Sequence, residues 1–235
     1  MKQYNRVCAR IDLDAIEYNM EMMKKNIKEG VSMISVIKTD GYGHGSVQIA
    51  RMLETKDYIW GYAVATLDEA ALLRKGGIEK PILVLGCIFP DQWETAIRQE
   101  VRFTVYTREM AEGISETARC LDKTAYVHIK LDTGMSRLGF LIREESADTI
   151  KAISCLPRLS LEGLYTHFAK ADETDKTFTE KQIRDYLWMK ERLEGKGVVF
   201  QYYHCSNSAG IIDVKEANLD LVRAGISTYG LYPSE

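Results

Sequence analysis

Short apolar runs recur along the 235-residue chain, and longer amphipathic stretches separate them. Eight runs rich in branched and aromatic residues predict β-strands over 32–37, 60–65, 81–86, 101–105, 125–131, 159–165, 199–204 and 219–222. Alternating strands and helices with short connections predict a parallel sheet, and eight repeats of this length fit a closed (β/α)₈ barrel of the TIM type. The sequence therefore predicts an α/β fold with a single domain.

The stretches between the strands carry apolar residues at helical spacing. The first has a predicted N-cap at Asp14 with Glu17 three residues later. Three predicted apolar stripes are Ile16, Met20, Met23 and Ile27; Met110, Ile114 and Ala118; and Ile183, Leu187 and Leu193. We expect these faces to pack on the barrel, with Met20 and Met23 filling its core.

The chain divides into a short leading segment and the barrel. Residues 1–12 form the first part, in which 6–12 predict an additional strand, and residues 13–235 form the barrel. A strand needs a hydrogen-bonding partner, and none is evident within the barrel. We expect this strand to pair with a domain outside residues 13–235.

Composition narrows the classes of function. The net charge of −3 and the lack of a basic run argue against a nucleic-acid partner. The longest apolar stretch, 81–90, is too short to span a membrane, and the first residues lack an apolar signal region, so we predict a cytoplasmic protein.

The five cysteines are dispersed and indicate neither disulfides nor zinc, and we expect Cys205 to be a buried residue at a strand end. His44 and His204 lack metal-ligand spacing, so no metal is predicted.

Polar residues follow several predicted strands at their carboxyl ends, where barrel enzymes build their active sites. They are Lys38, Lys130, Arg137, His167, Asn207, Ser208 and Arg223. Taken alone, Lys38 is better explained as a surface amine and His167 as a core histidine. Arg223 is compatible with a salt bridge to Asp220. Their shared end of the barrel favours a pocket.

Two later loops suit an anion. HCSNSAG (204–210) supplies hydroxyl and amide groups that can cap a helix, and RAGI (223–226) places Gly225 where a backbone amide can reach a phosphate. Barrels of this type commonly bind phosphate after their seventh and eighth strands. The alternative is that both are ordinary turns.

Five segments together resemble the alanine racemases, enzymes that use pyridoxal 5′-phosphate (PLP) and supply D-alanine for the cell wall. These segments are VIKTDGYGHG, VHIKLDTGMSRLGF, EGLYTHFAKAD, HCSNSAG and LVRAGISTYGLYP, and the resemblance as a whole runs from about Arg10 to Pro233. The resemblance implies that Lys38 holds PLP as a Schiff base. It also implies that Lys38 acts as one of two acid/base groups that interconvert L- and D-alanine.

The resemblance assigns further roles residue by residue. Residues implied around the cofactor phosphate are Tyr42, Asn207, Ser208, Gly225 and Ile226. Arg223 would face the pyridine nitrogen, and His167 would position the ring and Arg223. Arg137 would orient the substrate carboxylate, and Lys130 matches a lysine that is carbamylated in many relatives. The implied catalytic residues are Lys38, Arg137 and His167.

Racemases of this family continue beyond YGLYP into a β-rich domain that supplies the second catalytic base, a tyrosine, across a homodimer interface. The resemblance therefore implies that residues 1–235 alone bind PLP weakly or not at all and racemise alanine poorly. A serine racemase of the same architecture, a single-domain PLP carrier without enzymatic activity and a barrel with a purely structural role remain alternatives. Comparing rates on alanine and serine distinguishes the first of these.

Overall fold

Nine strands form one parallel sheet in the computed structural model, which describes residues 7–233. They are β1 (Ser32–Val36), β2 (Ile59–Val64), β3 (Ile82–Val84), β4 (Val101–Val105), β5 (Ala125–Asp132), β6 (Phe140–Leu141), β7 (Leu159–Tyr165), β8 (Tyr202–His204) and β9 (Leu221–Ala224). Their order is β8–β7–β5–β4–β3–β2–β1–β9, and β6 pairs with the end of β5. All eight predicted strands are therefore present.

The two ends of this order, β8 and β9, meet and close the ring. The Asp220 N–H donates to the Tyr203 carbonyl at 3.1 Å, and the Arg223 N–H donates to the Ser206 carbonyl at 3.0 Å. The Asp220 carboxylate also accepts the Tyr203 N–H at 2.8 Å. These contacts confirm the predicted (β/α)₈ barrel, because no wide gap separates the outermost strands.

Helices follow the strands and pack on the outside of the ring. They are α1 (Leu13–Lys25), α2 (Lys38–Tyr42), α3 (Ser46–Leu53), α4 (Leu67–Lys75), α5 (Trp93–Arg98), α6 (Arg108–Cys120), α7 (Glu144–Ser154), α8 (Thr177–Gly195) and α9 (Ser208–Asp213). Short 3₁₀ turns cover Pro90–Gln92, Lys215–Ala217 and Ile226–Tyr229. Met110, Ile114 and Ala118 of α6 are buried, as their spacing predicts.

The first helix is capped by Asp12 and not by Asp14. Asp12 has an extended backbone, and its Oδ1 accepts the Ala15 N–H at 3.1 Å, which is the geometry of an N-cap. The prediction of a cap at Asp14 is wrong because α1 begins at Leu13, so Asp14 lies inside the first turn. Met20 and Met23 are buried in the core, as predicted.

The buried face of α8 differs from the predicted stripe. Gln182, Tyr186, Met189 and Leu193 are buried, whereas Leu187 is 46% exposed. The Tyr186 hydroxyl reaches inward and donates to the Leu164 carbonyl at 2.8 Å. The spacing of apolar residues alone predicted the wrong buried face, because Gln182 and Tyr186 lie on the true one. Both have polar groups that form hydrogen bonds there.

Three local features depart from the strand prediction. The described residues 7–12 form no strand, and residue 6 lies outside the described residues, so pairing with another domain stays a prediction. β8 begins at Tyr202 and not at 199, since Val199 is 71% exposed. The unpredicted β6 follows Gly139, whose φ of 138° and close approach to Asp132 leave no room for a Cβ.

The barrel interior is apolar on one side and polar on the other. Apolar residues of β1, β2, β3 and β9 pack together: Ile34, Val36, Ala63, Leu83 and Leu221. The opposite side contains the charged and polar residues Arg102, His128, Lys130, Glu162 and His204. Groups of this kind need partners when they leave water. Within residues 7–233, no helix has both the length and the apolar character that crossing a membrane requires.

Candidate active site

A cavity of about 510 Å³ opens among the residues that follow the carboxyl ends of the strands. This volume suits a small-molecule ligand. Its lining includes all ten site residues predicted from the sequence: Lys38, Tyr42, Lys130, Arg137, His167, Asn207, Ser208, Arg223, Gly225 and Ile226. The structure therefore brings the predicted set together.

The short element α2, directly after β1, is a left-handed turn at the cavity and not a regular α-helix on the outside of the ring. Thr39, Asp40 and Tyr42 each have φ of 52°, and Gly41 between them has φ of 62°. Each residue with a side chain in this region costs about 1 kcal/mol or more relative to the right-handed helix. Three such residues in one turn must be held by their surroundings, which is a common property of functional loops.

Glu69 holds this turn in place. Its Oε1 accepts the Thr39 N–H at 2.7 Å, and its Oε2 accepts the Ala65 N–H at 2.6 Å. Thr66 caps α4, and Glu69 is three residues later, so the sequence carries a capping-box spacing that could have drawn attention to Glu69. Because Thr39 follows Lys38 directly, Glu69 fixes the backbone that presents the lysine.

The loops after β8 and β9 meet beside Tyr42. Ser208 Oγ accepts the Gly225 N–H at 3.0 Å and the Ser227 N–H at 3.3 Å. A Cβ on Gly225 would lie 3.6 Å from Ser208 Oγ and 3.7 Å from the Tyr42 hydroxyl oxygen. Asn207 caps α9 through its Oδ1, which accepts the Gly210 N–H at 3.0 Å, as the sequence predicts.

Arg223 lies beneath this corner and is only 2% exposed. Its Nη1 donates to His204 Nδ1 at 2.9 Å, and its Nη2 donates to the carbonyls of Thr166 at 2.7 Å and Cys205 at 2.8 Å. The alternative of a salt bridge to Asp220 is wrong, because the Arg223 guanidinium donates to these three residues, whereas the Asp220 carboxylate accepts the N–H of Tyr203.

Lys130 and His167 are the titratable neighbours of Arg223. Burial, reinforced by Arg223 and Arg137, lowers the pKa of Lys130 to about 7, and its Nζ donates to the Leu131 carbonyl at 2.7 Å. Burial and the same cations hold the pKa of His167 well below its ordinary value. His167 is therefore neutral near pH 7, and its Nδ1 lies 3.4 Å from Arg223 Nη2.

The cavity lining is strongly basic. Lys38, Lys130, Arg137 and Arg223 line it, whereas Asp172 is the one acidic residue among the described residues of the lining. Such an imbalance attracts anions such as phosphate and carboxylate. Among the described residues, no group of three His, Cys, Asp or Glu side chains is arranged to hold a metal ion.

Tyr165 is a lining residue that sequence reasoning missed. Its ring stacks on His204 with centroids 4.7 Å apart, and its hydroxyl lies 2.7 Å from Thr104 Oγ1. Lys130 Nζ lies 5.2 Å from the ring centroid, and Arg223 Cζ lies 5.3 Å from it. The signal was available, because strand alternation places Tyr165 and Gly163 on the same face of β7.

Comparison with known proteins agrees with this geometry. Residues 11–233 match the family model described as "Alanine racemase, N-terminal domain". The chain belongs to this family. The alanine racemase of Clostridium tetani is 46% identical over 99% of the chain, and that of Methanococcus maripaludis is 42% identical over 97%. The chain spans 60% and 61% of the lengths of these two racemases.

Solved alanine racemase structures share the barrel. That of Clostridium difficile superposes with a TM-score of 0.94 at 42% identity, covering 96% of this chain and 59% of that one. An alanine racemase of Bacillus anthracis with bound L-Ala-P gives a TM-score of 0.88 at 36% identity, covering 95% and 57%. Alanine racemases depend on PLP.

The cavity has the chemistry that PLP requires. A phosphate needs hydrogen-bond donors around open space. The hydroxyls of Tyr42 and Ser208 border such a space at Gly225, where the absence of a Cβ leaves room for a ligand. The aldehyde of PLP reacts with an amine, and Lys38 lines the same cavity with its Nζ 5.8 Å from the centre of the Tyr42 ring. The residues present therefore fit the cofactor.

Proposed function

We propose that this chain binds PLP through Lys38 and takes part in the interconversion of L- and D-alanine. The observation that carries the proposal is the joint placement of Lys38, a glycine cradle and Arg223 around one basic cavity. The relatives described above are alanine racemases, and none of them is a serine racemase or a PLP carrier without activity.

The phosphate-binding role falls to the loops after β1, β8 and β9. The hydroxyls of Tyr42 and Ser208 and the backbone of Gly225 and Ile226 would surround the phosphate, and Asn207 would hold the start of α9 in position. Arg223 would face the pyridine nitrogen as a permanent cation. When bound, PLP supplies an electron sink that makes the α-proton of an amino acid labile.

The remaining side chains would bind the substrate and move its proton. The Lys38 amine would exchange the α-proton of the D-enantiomer, and the Arg137 guanidinium would bind the substrate carboxylate. The neutral His167 would support Arg223. Lys130 has a pKa of about 7, so a large fraction of its amine is neutral near pH 7, which carbamylation requires. A carbamate there would place a negative charge among the cations of the cavity.

Substrate choice and assembly complete the proposal. We take alanine as the substrate, in line with the names of the relatives, and a comparison of alanine with serine tests this choice. The homodimer implied by the resemblance and the cytoplasmic location stay predictions.

The test combines PLP titration with proton exchange. Adding PLP to the wild type should give an absorbance change that Lys38→Ala abolishes and that Lys75→Ala, at an exposed site, retains. With PLP present, D-alanine in D₂O should exchange its α-proton faster with the wild type than with Lys38→Ala. Equal absorbance changes or equal exchange rates in the two proteins would refute the proposal.

A further inference from the structure

A continuous chain of hydrogen-bonded side chains crosses the barrel interior below the cavity. We call it the histidine chain; in order it consists of Arg102, Glu162, His128, His204 and Arg223. The successive donor–acceptor distances are 3.1, 3.0, 2.9 and 2.9 Å. Both histidines are fully buried, and Arg102, the most exposed member, is 13% exposed. The chain therefore lies almost entirely out of contact with water.

The chemistry of its two ends fixes the position of each proton. Arg223 can only donate, so His204 Nδ1 must accept. His204 then carries its hydrogen on Nε2 and donates to His128 Nδ1, and His128 carries its own on Nε2 and donates to Glu162. Starting from Glu162 gives the same positions for the hydrogens. The ionised carboxylate can only accept, so both Arg102 and His128 Nε2 must donate to it.

This arrangement holds the two histidines neutral. The 2.9 Å contact between His128 Nδ1 and His204 Nε2 accommodates one hydrogen, and a second would set two donors against each other. Burial lowers the pKa of both rings, and Arg223 acts in the same direction. Burial would raise the pKa of Glu162, but hydrogen bonds from His128 and Arg102 outweigh it and lower the pKa.

A glycine of β7 provides the space for the His128 ring. A Cβ at Gly163 would lie 2.3 Å from His128 Nδ1 and 2.6 Å from its Cε1. Real Cβ atoms do not approach a ring so closely, so any side chain at this position displaces the ring. The atom that would be displaced most is the one that accepts from His204.

Arg223, at the far end of the histidine chain, is held through both of its Nη atoms. Nη1 is engaged by His204, and Nη2 is engaged by the carbonyls of Thr166 and Cys205. Among residues 7–233, the Nε–H of Arg223 has no hydrogen-bond acceptor, and the residue lines the cavity. The guanidinium is thus anchored through its Nη atoms with a single N–H left over.

We propose that Glu162 and His128 are positioning residues that hold His204 as its Nε2–H tautomer, so that His204 Nδ1 anchors Arg223 in one orientation at the cavity. This inference rests on the proposed function for its effect on PLP. The tautomer of His204 is a property of the protein and can be measured without the cofactor.

The first test is the tautomer in the wild type. The sequence has four histidines, so ¹⁵N labelling and long-range ¹H–¹⁵N correlation give a simple spectrum, assigned by replacing His44 and His167 in turn. Without PLP, His128 and His204 should both be neutral Nε2–H tautomers from about pH 6 to pH 8. A hydrogen on Nδ1 of His204, or an imidazolium at either position, would overturn the inference.

The second test releases one end of the histidine chain. Glu162→Gln keeps the shape but can donate from its amide to His128 Nε2, which permits the reversed arrangement. His204 then carries its hydrogen on Nδ1, so it no longer accepts from Arg223 Nη1 and no longer anchors the guanidinium. We expect this tautomer to appear and PLP to bind about tenfold more weakly. Glu54→Gln is the matched control, because Glu54 also accepts several hydrogen bonds but none from a histidine of the described chain.

A steric variant tests the same link without changing charge. Gly163→Ala should displace the His128 ring and alter the His204 signals, whereas Gly195→Ala, which meets no atom within 4 Å, should not. Unaltered His204 signals and PLP affinity in folded Glu162→Gln and Gly163→Ala would refute the inference. Expected tautomers in a wild type that does not bind PLP would support the positioning role and refute the proposed function.

Discussion

Replacing Lys130 with methionine should stabilise the fold near neutral pH. Lys130 is 5% exposed, and its pKa falls from 10.5 to about 7, chiefly through burial. The unfolded chain therefore binds a proton that the folded chain gives up. At about 1.4 kcal/mol per pKa unit, this shift destabilises the fold by about 4 kcal/mol at pH 7.

The replacement also removes the hydrogen bond from Lys130 Nζ to the Leu131 carbonyl. That carbonyl keeps a donor, since Thr166 Oγ1 lies 3.1 Å away, so the loss should be about 1 kcal/mol. The net gain expected for Lys130→Met at pH 7 is about 3 kcal/mol in the free energy of unfolding.

The pH dependence of the stability difference distinguishes a lowered pKa of Lys130 from a simple gain in packing by methionine. Between the folded pKa of about 7 and the unfolded value of 10.5, the unfolded state binds more protons, so the wild type gains stability as pH rises. The advantage of Lys130→Met should shrink by about 2 kcal/mol from about pH 7 to pH 9. Lys75→Met, at an exposed position, should show no such change.

Urea unfolding of the three proteins in CO₂-depleted buffer measures these differences. An advantage of Lys130→Met that stays the same at both pH values would refute the reasoning, because Lys130 would then keep its ordinary pKa in the fold. Added bicarbonate provides a further arm: it should stabilise the wild type and leave Lys130→Met unchanged if Lys130 is carbamylated.

Three further predictions follow from single contacts. Asp12→Ala should lower the free energy of unfolding by about 1 kcal/mol in urea, and an unchanged midpoint would argue against its role as the α1 cap. Glu69→Gln should lower it by about 2 kcal/mol and slow PLP attachment to Lys38, because its carboxylate holds the Thr39 N–H; equal attachment rates would contradict this. Gly225→Ala should leave the melting temperature nearly unchanged, since its nearest contacts are 3.6 Å or more, yet weaken PLP binding about tenfold; unaltered PLP affinity would exclude the cradle.

The fold could be predicted from the sequence because the pattern of apolar strands separated by amphipathic helices is repeated along the chain. Eight apolar runs at regular spacing leave few alternatives to a closed parallel barrel, and misplacing β8 by three residues does not alter that. Errors arose where one polar contact decides the outcome. Asp12 and Asp14 are both plausible caps, and only the backbone at Leu13 distinguishes them. On α8, Gln182 takes an inward place because it finds partners in the loops after β5 and β7.

The candidate site could be predicted from the sequence only in part. Strand-end position predicts that Lys38 and Arg223 face one cavity, and the structure brings them together. The supporting contacts were not predictable, because they join residues far apart in the sequence. Glu69 reaches the turn after Lys38 from the first turn of α4, and His128 reaches Arg223 through His204. Such partners are determined by the closed barrel and not by local spacing.

The central claim is that Lys38 is the residue that holds PLP in this cavity. Incubating the chain with PLP, reducing with borohydride and mapping the digested protein by mass spectrometry identifies the modified lysine directly. The account predicts one phosphopyridoxyl group per chain, on Lys38, and none at that stoichiometry in Lys38→Ala. Modification spread over exposed lysines, or an equal yield in Lys38→Ala, would contradict it.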